Sequence, residues 1–325
     1  MELHVTIPKI GGCRGNIPVI SPKEASKIQD SIFIICSKYV SEIAGQLESM
    51  GKEYVKTDRF DEWVERVLIS DIYCTATKES VADAYTWIQE FDLEKKQCLE
   101  KIINIFEDEE SKSIVKNRSA FYETGEVSFI RTIPWHKIQY FQSNYYGNTL
   151  LVNETYVDCG AFDGDSIKGF LDAVNNKYKK IYAFEPDSDN YMKLEEMAEH
   201  VENLECYNMA TGNKTGYCKF EKTATSGSCI SDVGSVDVKI VRLDEQITDD
   251  ISLLKMDIEG AELDSLMGAE QLIKRCKPKL AICVYHRFSD LYLIPQFLKS
   301  IVPEYKFSLR QHDRSLYETV LYAWV

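Results

Sequence analysis

An open α/β fold with a cofactor crevice is predicted by three observations. Tyr156 to Ser166 reads Tyr-Val-Asp-Cys-Gly-Ala-Phe-Asp-Gly-Asp-Ser, a short apolar strand ending at Asp158, a tight turn, and the approach to a helix over 167–174. Gly160 and Gly164 carry no Cβ, so that turn lets backbone come close to a ligand. A second apolar strand, Ile181-Tyr-Ala-Phe-Glu-Pro, ends on another acidic residue, Glu185. Strand-like and helix-like runs then alternate as far as Tyr285, which is the pattern of a parallel sheet covered on both faces. The first two pieces together form the opening unit of a dinucleotide- or nucleoside-binding fold.

At 325 residues the chain exceeds the size at which one core stops growing, so more than one domain is expected. The organisation read from the chain is a partial Rossmann-like α/β unit over 1–57, a helical and aromatic-rich connecting region over 58–147, and a cofactor-binding domain over 148–325. A formal net charge of -14 and an isoelectric point near 5.0 argue against nucleic acid as a partner. Ten cysteines without a Cys-x-x-Cys pair suggest neither zinc nor a disulfide scaffold. A reduced, cytoplasmic setting fits that usage. No apolar run is long enough to cross a bilayer.

In the first unit, Gly11, Gly12 and Gly15 lack a following Gly-Lys-Ser/Thr and read as a plain loop. Ser21-Pro22-Lys23-Glu24 has the signals of a helix start. Ile32 to Cys36 suits a buried strand, and Tyr39 to Met50 a helix stopped by Gly51. Glu53 to Val55 returns as another strand. This β-α-β pattern suits a small Rossmann-like accessory domain or a docking and oligomerisation module, in which case it recruits a second copy or a glycan-synthesis partner. From Arg59 to Val115 helices are expected, one with Leu99, Ile102, Ile103 and Phe106 on its core face. The acidic run Glu107 to Glu110 reads as a solvated face or helix start. Trp135 to Tyr146 is rich in aromatics that either line a pocket or pack between domains, and a domain boundary is placed near Gly147.

Beyond the opening unit, Lys179 and Lys180 read as exposed charge, and Asn203 to Met209 as a third strand followed by a turn at Ala210. Tyr217 to Phe220 and Val236 to Val241 form an accessory hairpin closed by a polar loop, Thr225-Ser-Gly-Ser-Cys. Ser252-Leu-Leu-Lys-Met-Asp257 is the fourth strand, and Ile258-Glu-Gly-Ala-Glu262 leads into a helix with Leu263, Leu266 and Met267 inward. Leu280 to Tyr285 is the fifth strand, with His286-Arg287 at its end. Leu291 to Ile301 is helical around Pro295, and Tyr305 to Leu309 and Thr319 to Trp324 suit an antiparallel pair.

Four motifs in this order, Val-Asp-Cys-Gly-Ala-Phe-Asp-Gly-Asp (157–165), Ala-Phe-Glu-Pro (183–186), Lys-Met-Asp-Ile-Glu-Gly-Ala-Glu (255–262) and Tyr-His-Arg (285–287), resemble those of the FkbM-type methyltransferases. The resemblance runs roughly from Asp108 to the C-terminus. It implies a class I methyltransferase fold, a mainly parallel sheet with one reversed strand, and S-adenosylmethionine as cofactor. Asp158 and Asp163 are then expected to accept from its ammonium, while turn N–H groups over Gly160, Ala161, Phe162 and Gly164 meet its carboxylate. Glu185, followed by Pro186, would accept from both ribose hydroxyls, and Phe162, Met209 and Ala210 would bracket the adenosine.

Each of these residues also has a bland reading as a turn former or strand end. Their joint placement at neighbouring strand ends favours a ligand site. For an alcohol acceptor, His286 is the expected general base because histidine titrates near neutrality. Asp257 competes for that role or orients the ring. Glu259 and Arg287 are candidate substrate contacts, with Glu259 and Glu262 otherwise helix-start acids. Asp257 and Glu259 alone are a weak metal signal, so no metal is expected. The acceptor suggested by the resemblance is a hydroxyl on a sugar, glycan or other small polar metabolite. The alternatives are a nicotinamide-dependent oxidoreductase, disfavoured by Phe162 at the middle glycine position, and a non-catalytic cofactor-binding scaffold.

Overall fold

Strands buried on both faces of a parallel sheet must be apolar along their whole length, and Thr155–Cys159 (β1) comes close, with all five residues buried. It lies inside a seven-stranded sheet, beside the central strand Leu253–Met256 (β4), with Lys180–Phe184 (β2), Leu204–Tyr207 (β3), Lys279–Cys283 (β5), Lys306–Gln311 (β6) and Thr319–Trp324 (β7). The spatial order is β6-β7-β5-β4-β1-β2-β3. Strands β1 to β5 pair in parallel, and β7 runs antiparallel to both β5 and β6. This is the class I methyltransferase arrangement, with its one reversed strand as expected.

The computed structural model describes residues 90–325 except 125–127, 222–228, 231–235 and 314–316, and within the first 89 residues 13–14, 17–18, 27, 33–35, 40–52 and 54–56. Gly11, Gly12 and Gly15 of the expected glycine loop, the helix start at Ser21, most of the polar loop at 225–229 and the helices before residue 90 fall outside the described residues, while Cys13–Arg14 pairs antiparallel with Ile17–Pro18. Two compact units divide the chain, Met1–Asp83 and Ala84–Val325. In the first, Phe33–Ile35 and Tyr54–Lys56 pair in parallel across the helix Val40–Ser49, and Gly51 ends that helix in the left-handed region. The division falls within the expected connecting region, whose residues 84–147 belong with the sheet, so the boundary expected near Gly147 lies inside the second unit.

Helix Leu93–Ile103 (α1) buries Leu99 and Ile102 as the helical spacing requires and leaves Ile103 half-buried, but it ends before Phe106, which is buried from a bridge to Phe307 ahead of the next helix, Glu109–Thr124 (α2). The acidic run at 107–110 is more than a solvated face. Asp108 accepts from the Ser111 amide at 2.9 Å and pairs with Arg310 of β6 at 3.0 Å, while Glu110 meets His136 at 2.6 Å. Lys180 likewise is paired, with Glu205 at 2.7 Å. The accessory strands Gly216–Glu221 and Val236–Val241 are antiparallel as expected, flanked by Cys229–Ile230 and by Ala210–Thr211. Asp165–Ala173 (α3) follows β1, Ser188–Ala198 (α4) follows β2, and Asp290–Ile301 (α7) accommodates the buried Pro295. Between β4 and β5 lie Glu262–Met267 (α5) and Glu270–Cys276 (α6). In α5 Met267 faces solvent, and Glu262 and Ser265 are buried with Leu266 instead. Among the described residues no helix is long and apolar enough to cross a membrane.

Candidate functional site

Open α/β sheets bind ligands beyond the carboxyl ends of their strands, and a cavity of about 1260 Å³ opens there in the second unit. Its volume exceeds the ~300–1000 Å³ of ordinary small-molecule pockets. Phe162, Glu185, Pro186, Met209 and Ala210 line one side. Gly160, Lys255, Asp257, Glu259 and Tyr285 line the strand ends, and the segment 138–144 closes the opposite wall. The aromatic connector therefore both lines the pocket and packs, since Tyr140, Tyr145 and Tyr146 are buried.

The glycine turn is shaped by the protein itself. A Cβ on Gly160, at φ +77°, would stand 1.9 Å from the Asp257 carbonyl oxygen, so this glycine is required for β1 and β4 to end side by side. One on Gly164 would strike Met197 of α4. The turn amides expected to meet a ligand carboxylate are already used. Gly160 and Ala161 donate to the Phe184 carbonyl at 3.0 and 3.1 Å, Phe162 donates to Glu185 at 2.9 Å, and Gly164 donates to the Ala161 carbonyl at 2.8 Å.

Asp158 and Asp163, the expected ammonium acceptors, do not line the cavity, whereas Asp165 and Ser166 do. Asp158 is wholly buried. It lies in register beside Lys255, 3.1 Å from the ammonium, and accepts from the Ser166 hydroxyl at 2.5 Å. Lys255 also donates to the Gly160 carbonyl at 2.7 Å. Burial works against its charge, but the field of Asp158 and then Asp257 holds its pKa above the ordinary value. Glu185 keeps the expected place at the end of β2, with one oxygen on the Phe162 amide and the other on the Asp187 amide at 2.8 Å. Burial pushes its pKa to about 7, against the pull of those amides.

At the end of β4 the hydroxyls of Tyr140 and Tyr285 donate to the two oxygens of Asp257, at 3.0 and 3.1 Å. Burial alone would raise the Asp257 pKa; Lys255, His286 and the Tyr140 bond bring it below the ordinary value. The chain then turns through Glu259 (φ +54°) and Gly260 (φ +92°), which carries Glu259 onto the cavity wall and folds Glu262 underneath. Glu259 is raised to about 7 by burial, opposed by His286 and supported by Asp257 and Glu262.

His286 is enclosed by carboxylates and does not line the cavity. Its Nδ1 lies 2.9 Å from Glu262, and its Nε2 lies 3.4 Å from Glu259 and 3.5 Å from Asp257. Burial acts to lower its pKa, but Glu262, then Glu259 and Asp257, outweigh it and raise the imidazole to about 10. A ring that holds its proton at neutral pH is not a proton acceptor. Glu262 is no ordinary helix-start acid either, being wholly buried and accepting from the Ile258 amide at 2.9 Å. Arg287 lies on a smaller recess of about 460 Å³ that shares Glu259 and Ala261 with the main cavity.

Sequence reasoning missed Tyr140, Asp165, Lys255 and Tyr285. Three of them stand inside the quoted motifs, and a lysine one residue inside the end of a buried strand is itself a signal, because a buried cation needs a partner.

Residues 158–309 match the family model described as the methyltransferase FkbM domain. A methyltransferase FkbM from Methylobacillus flagellatus superposes with a TM-score of 0.66 at 23% identity, over 95% of this chain and 78% of that one. An rRNA methylase from Streptococcus thermophilus gives a TM-score of 0.36 at 18% identity, over 53% of this chain and 87% of that one. No curated protein matches the chain.

Proposed function

We propose, with the membership of residues 158–309 in the FkbM methyltransferase family as the premise, that the chain is an S-adenosylmethionine-dependent methyltransferase acting on a hydroxyl of a sugar, glycan or other small polar metabolite. The observation that carries the reading is Glu185, a carboxylate on the cavity wall at the end of β2, flanked by the apolar surfaces of Phe162, Pro186, Met209 and Ala210. An ionised carboxylate only accepts, which suits a ribose diol and repels a phosphate. Because the same carboxylate would also serve the ribose of a dinucleotide, the preference for a nucleoside cofactor rests on Phe162, which stands where a dinucleotide-binding turn has its middle glycine.

Bound there, S-adenosylmethionine supplies a methyl group already activated for displacement. Glu185 holds the ribose and the apolar pair Met209 and Ala210 brackets the adenine. Asp165, rather than the Lys255-bound Asp158, meets the ammonium. What remains for the chain is to orient the acceptor and receive its proton. Glu259 suits the second task, because its pKa of about 7 matches an operating pH near neutrality. Asp257, fixed by two tyrosine hydroxyls, orients the acceptor, and His286 positions these carboxylates from behind. Arg287, on the adjoining recess, lies on the acceptor side.

Calorimetric titration tests the cofactor: S-adenosylmethionine or its demethylated product binds more tightly than NAD, and preferential NAD binding refutes the reading. Incubation with methyl-labelled cofactor and a panel of nucleotide sugars, glycans and other polar alcohols tests the acceptor class, with label expected on oxygen.

A further inference from the structure

Beneath the floor of the cavity, three carboxylates converge on one imidazole. Donor atoms of Asp257, Glu262 and His286 all lie within 4.8 Å of one another. Both ring nitrogens are buried without a hydrogen-bond partner, although Nδ1 stands 2.9 Å from a Glu262 oxygen and Nε2 3.5 Å from an Asp257 oxygen. The other Glu262 oxygen, Oε2, is also buried and without a hydrogen-bond partner. A wholly buried carboxylate with an unused oxygen is costly unless something meets it. Glu259 stands 3.4 Å from Nε2 as well, so three carboxylates flank the one imidazole.

We infer that Asp257, Glu262 and His286 bind one divalent transition-metal cation of the manganese, iron or zinc type. Metal–ligand bonds of ~2.1 Å place adjacent donors ~3.0 Å apart and opposite donors ~4.2 Å apart, so one ring nitrogen and two carboxylate oxygens lying within 4.8 Å of one another need draw together only slightly to share an ion. A nitrogen donor among carboxylates favours such ions over calcium or magnesium, which prefer all-oxygen shells, and the set contains no thiolate to favour copper(I). The surroundings are those of a supported site. Tyr140 and Tyr285 donate to Asp257 and the Ile258 amide donates to Glu262, which fixes both carboxylates from outside. Asp257 belongs to the cavity wall, so the ion would present an open position to a ligand there. That this ligand is the acceptor oxygen rests on the methyltransferase reading; the binding of the ion does not.

The test uses the untagged full chain, stripped with a chelator and titrated with Mn2+, with free ion followed by electron paramagnetic resonance. One equivalent is expected to bind, and His286→Gln and Glu262→Gln should each weaken it about tenfold or more. Pulsed measurements on the wild-type complex should show coupling to a directly bonded nitrogen, a readout that needs no variant to fold. Absence of saturable binding, wild-type affinity in a folded variant, or absence of nitrogen coupling each overturns the site. Calorimetry with S-adenosylmethionine on the same stripped protein separates the two ideas. Cofactor binding without Mn2+ binding rejects the ion alone, and Mn2+ binding without cofactor binding rejects the proposed activity alone.

Discussion

Replacing Lys255 with methionine should cost the second unit about 4 kcal/mol of stability. The side chain is 3% exposed and its partner Asp158 0%, so neither charge has water to fall back on. Their gross attraction at 3.1 Å is about 5 kcal/mol at an effective dielectric of ~20, and removing one member of such a pair costs ~3–5 kcal/mol, because the other is left buried and uncompensated. The ammonium also serves the Gly160 carbonyl, and it lowers the Asp257 pKa more than His286 does, so methionine fills the volume and restores none of this. Whole proteins are stable by only ~5–15 kcal/mol. Urea unfolding followed by far-ultraviolet circular dichroism should show the midpoint falling by more than ~1 M, for a slope near the upper end of ~1–3 kcal/mol/M. Adding Asp158→Asn should recover part of the loss, since the stranded charge is removed while Ser166 keeps an acceptor. A loss below ~1 kcal/mol, or a double variant whose losses simply add, would refute the reasoning.

Glu185, Glu259 and Gly160 each give a further test. Glu185→Gln should weaken S-adenosylmethionine about tenfold or more by calorimetry, the worth of a hydrogen bond to a charged group. In the wild type, affinity should rise as pH climbs through about 7, where Glu185 ionises, while its contribution to the stability of the free chain runs the opposite way. Because its folded pKa is raised from 4.5, that contribution is present at low pH and lost as pH rises through about 7. Glu259→Gln should lower methyl transfer to an identified acceptor by roughly 10²–10⁴-fold, the usual worth of a general base, with cofactor affinity unchanged. Gly160→Ala should lose more than ~2 kcal/mol in thermal or urea unfolding, since the left-handed backbone alone costs ~1–2 kcal/mol and the new methyl meets the Asp257 carbonyl as well.

The elements that position the site were legible because their signals are local. Period and turn chemistry locate β1, β2, β4 and β5, and a carboxylate at a strand end keeps its meaning wherever the strand packs, as Glu185 and Asp257 illustrate. Asp158 was legible as important and misread in role, since only the β1–β4 register reveals that Lys255 stands beside it. Tyr140 was invisible as a partner of Asp257 for a similar reason: more than a hundred residues separate them, and topology alone brings hydroxyl to carboxylate. In α5 the inward face was misassigned because a six-residue helix is too short for periodicity to decide. There the burial of Glu262, tied to Ile258 and beside His286, sets the face and turns Met267 outward.

The wall at 138–144 has a practical consequence for how this catalytic region is delimited. It precedes the span matched by the family, 158–309, and Glu318 on the same cavity follows it. A fragment trimmed to the recognisable domain would therefore lose the clasp that Tyr140 places on Asp257, together with β7 and its lining residue. Its chamber would stand open to solvent on one side. The smallest piece of this chain that keeps the cavity enclosed is larger than its recognisable one, and the connector before the sheet is part of that enclosure.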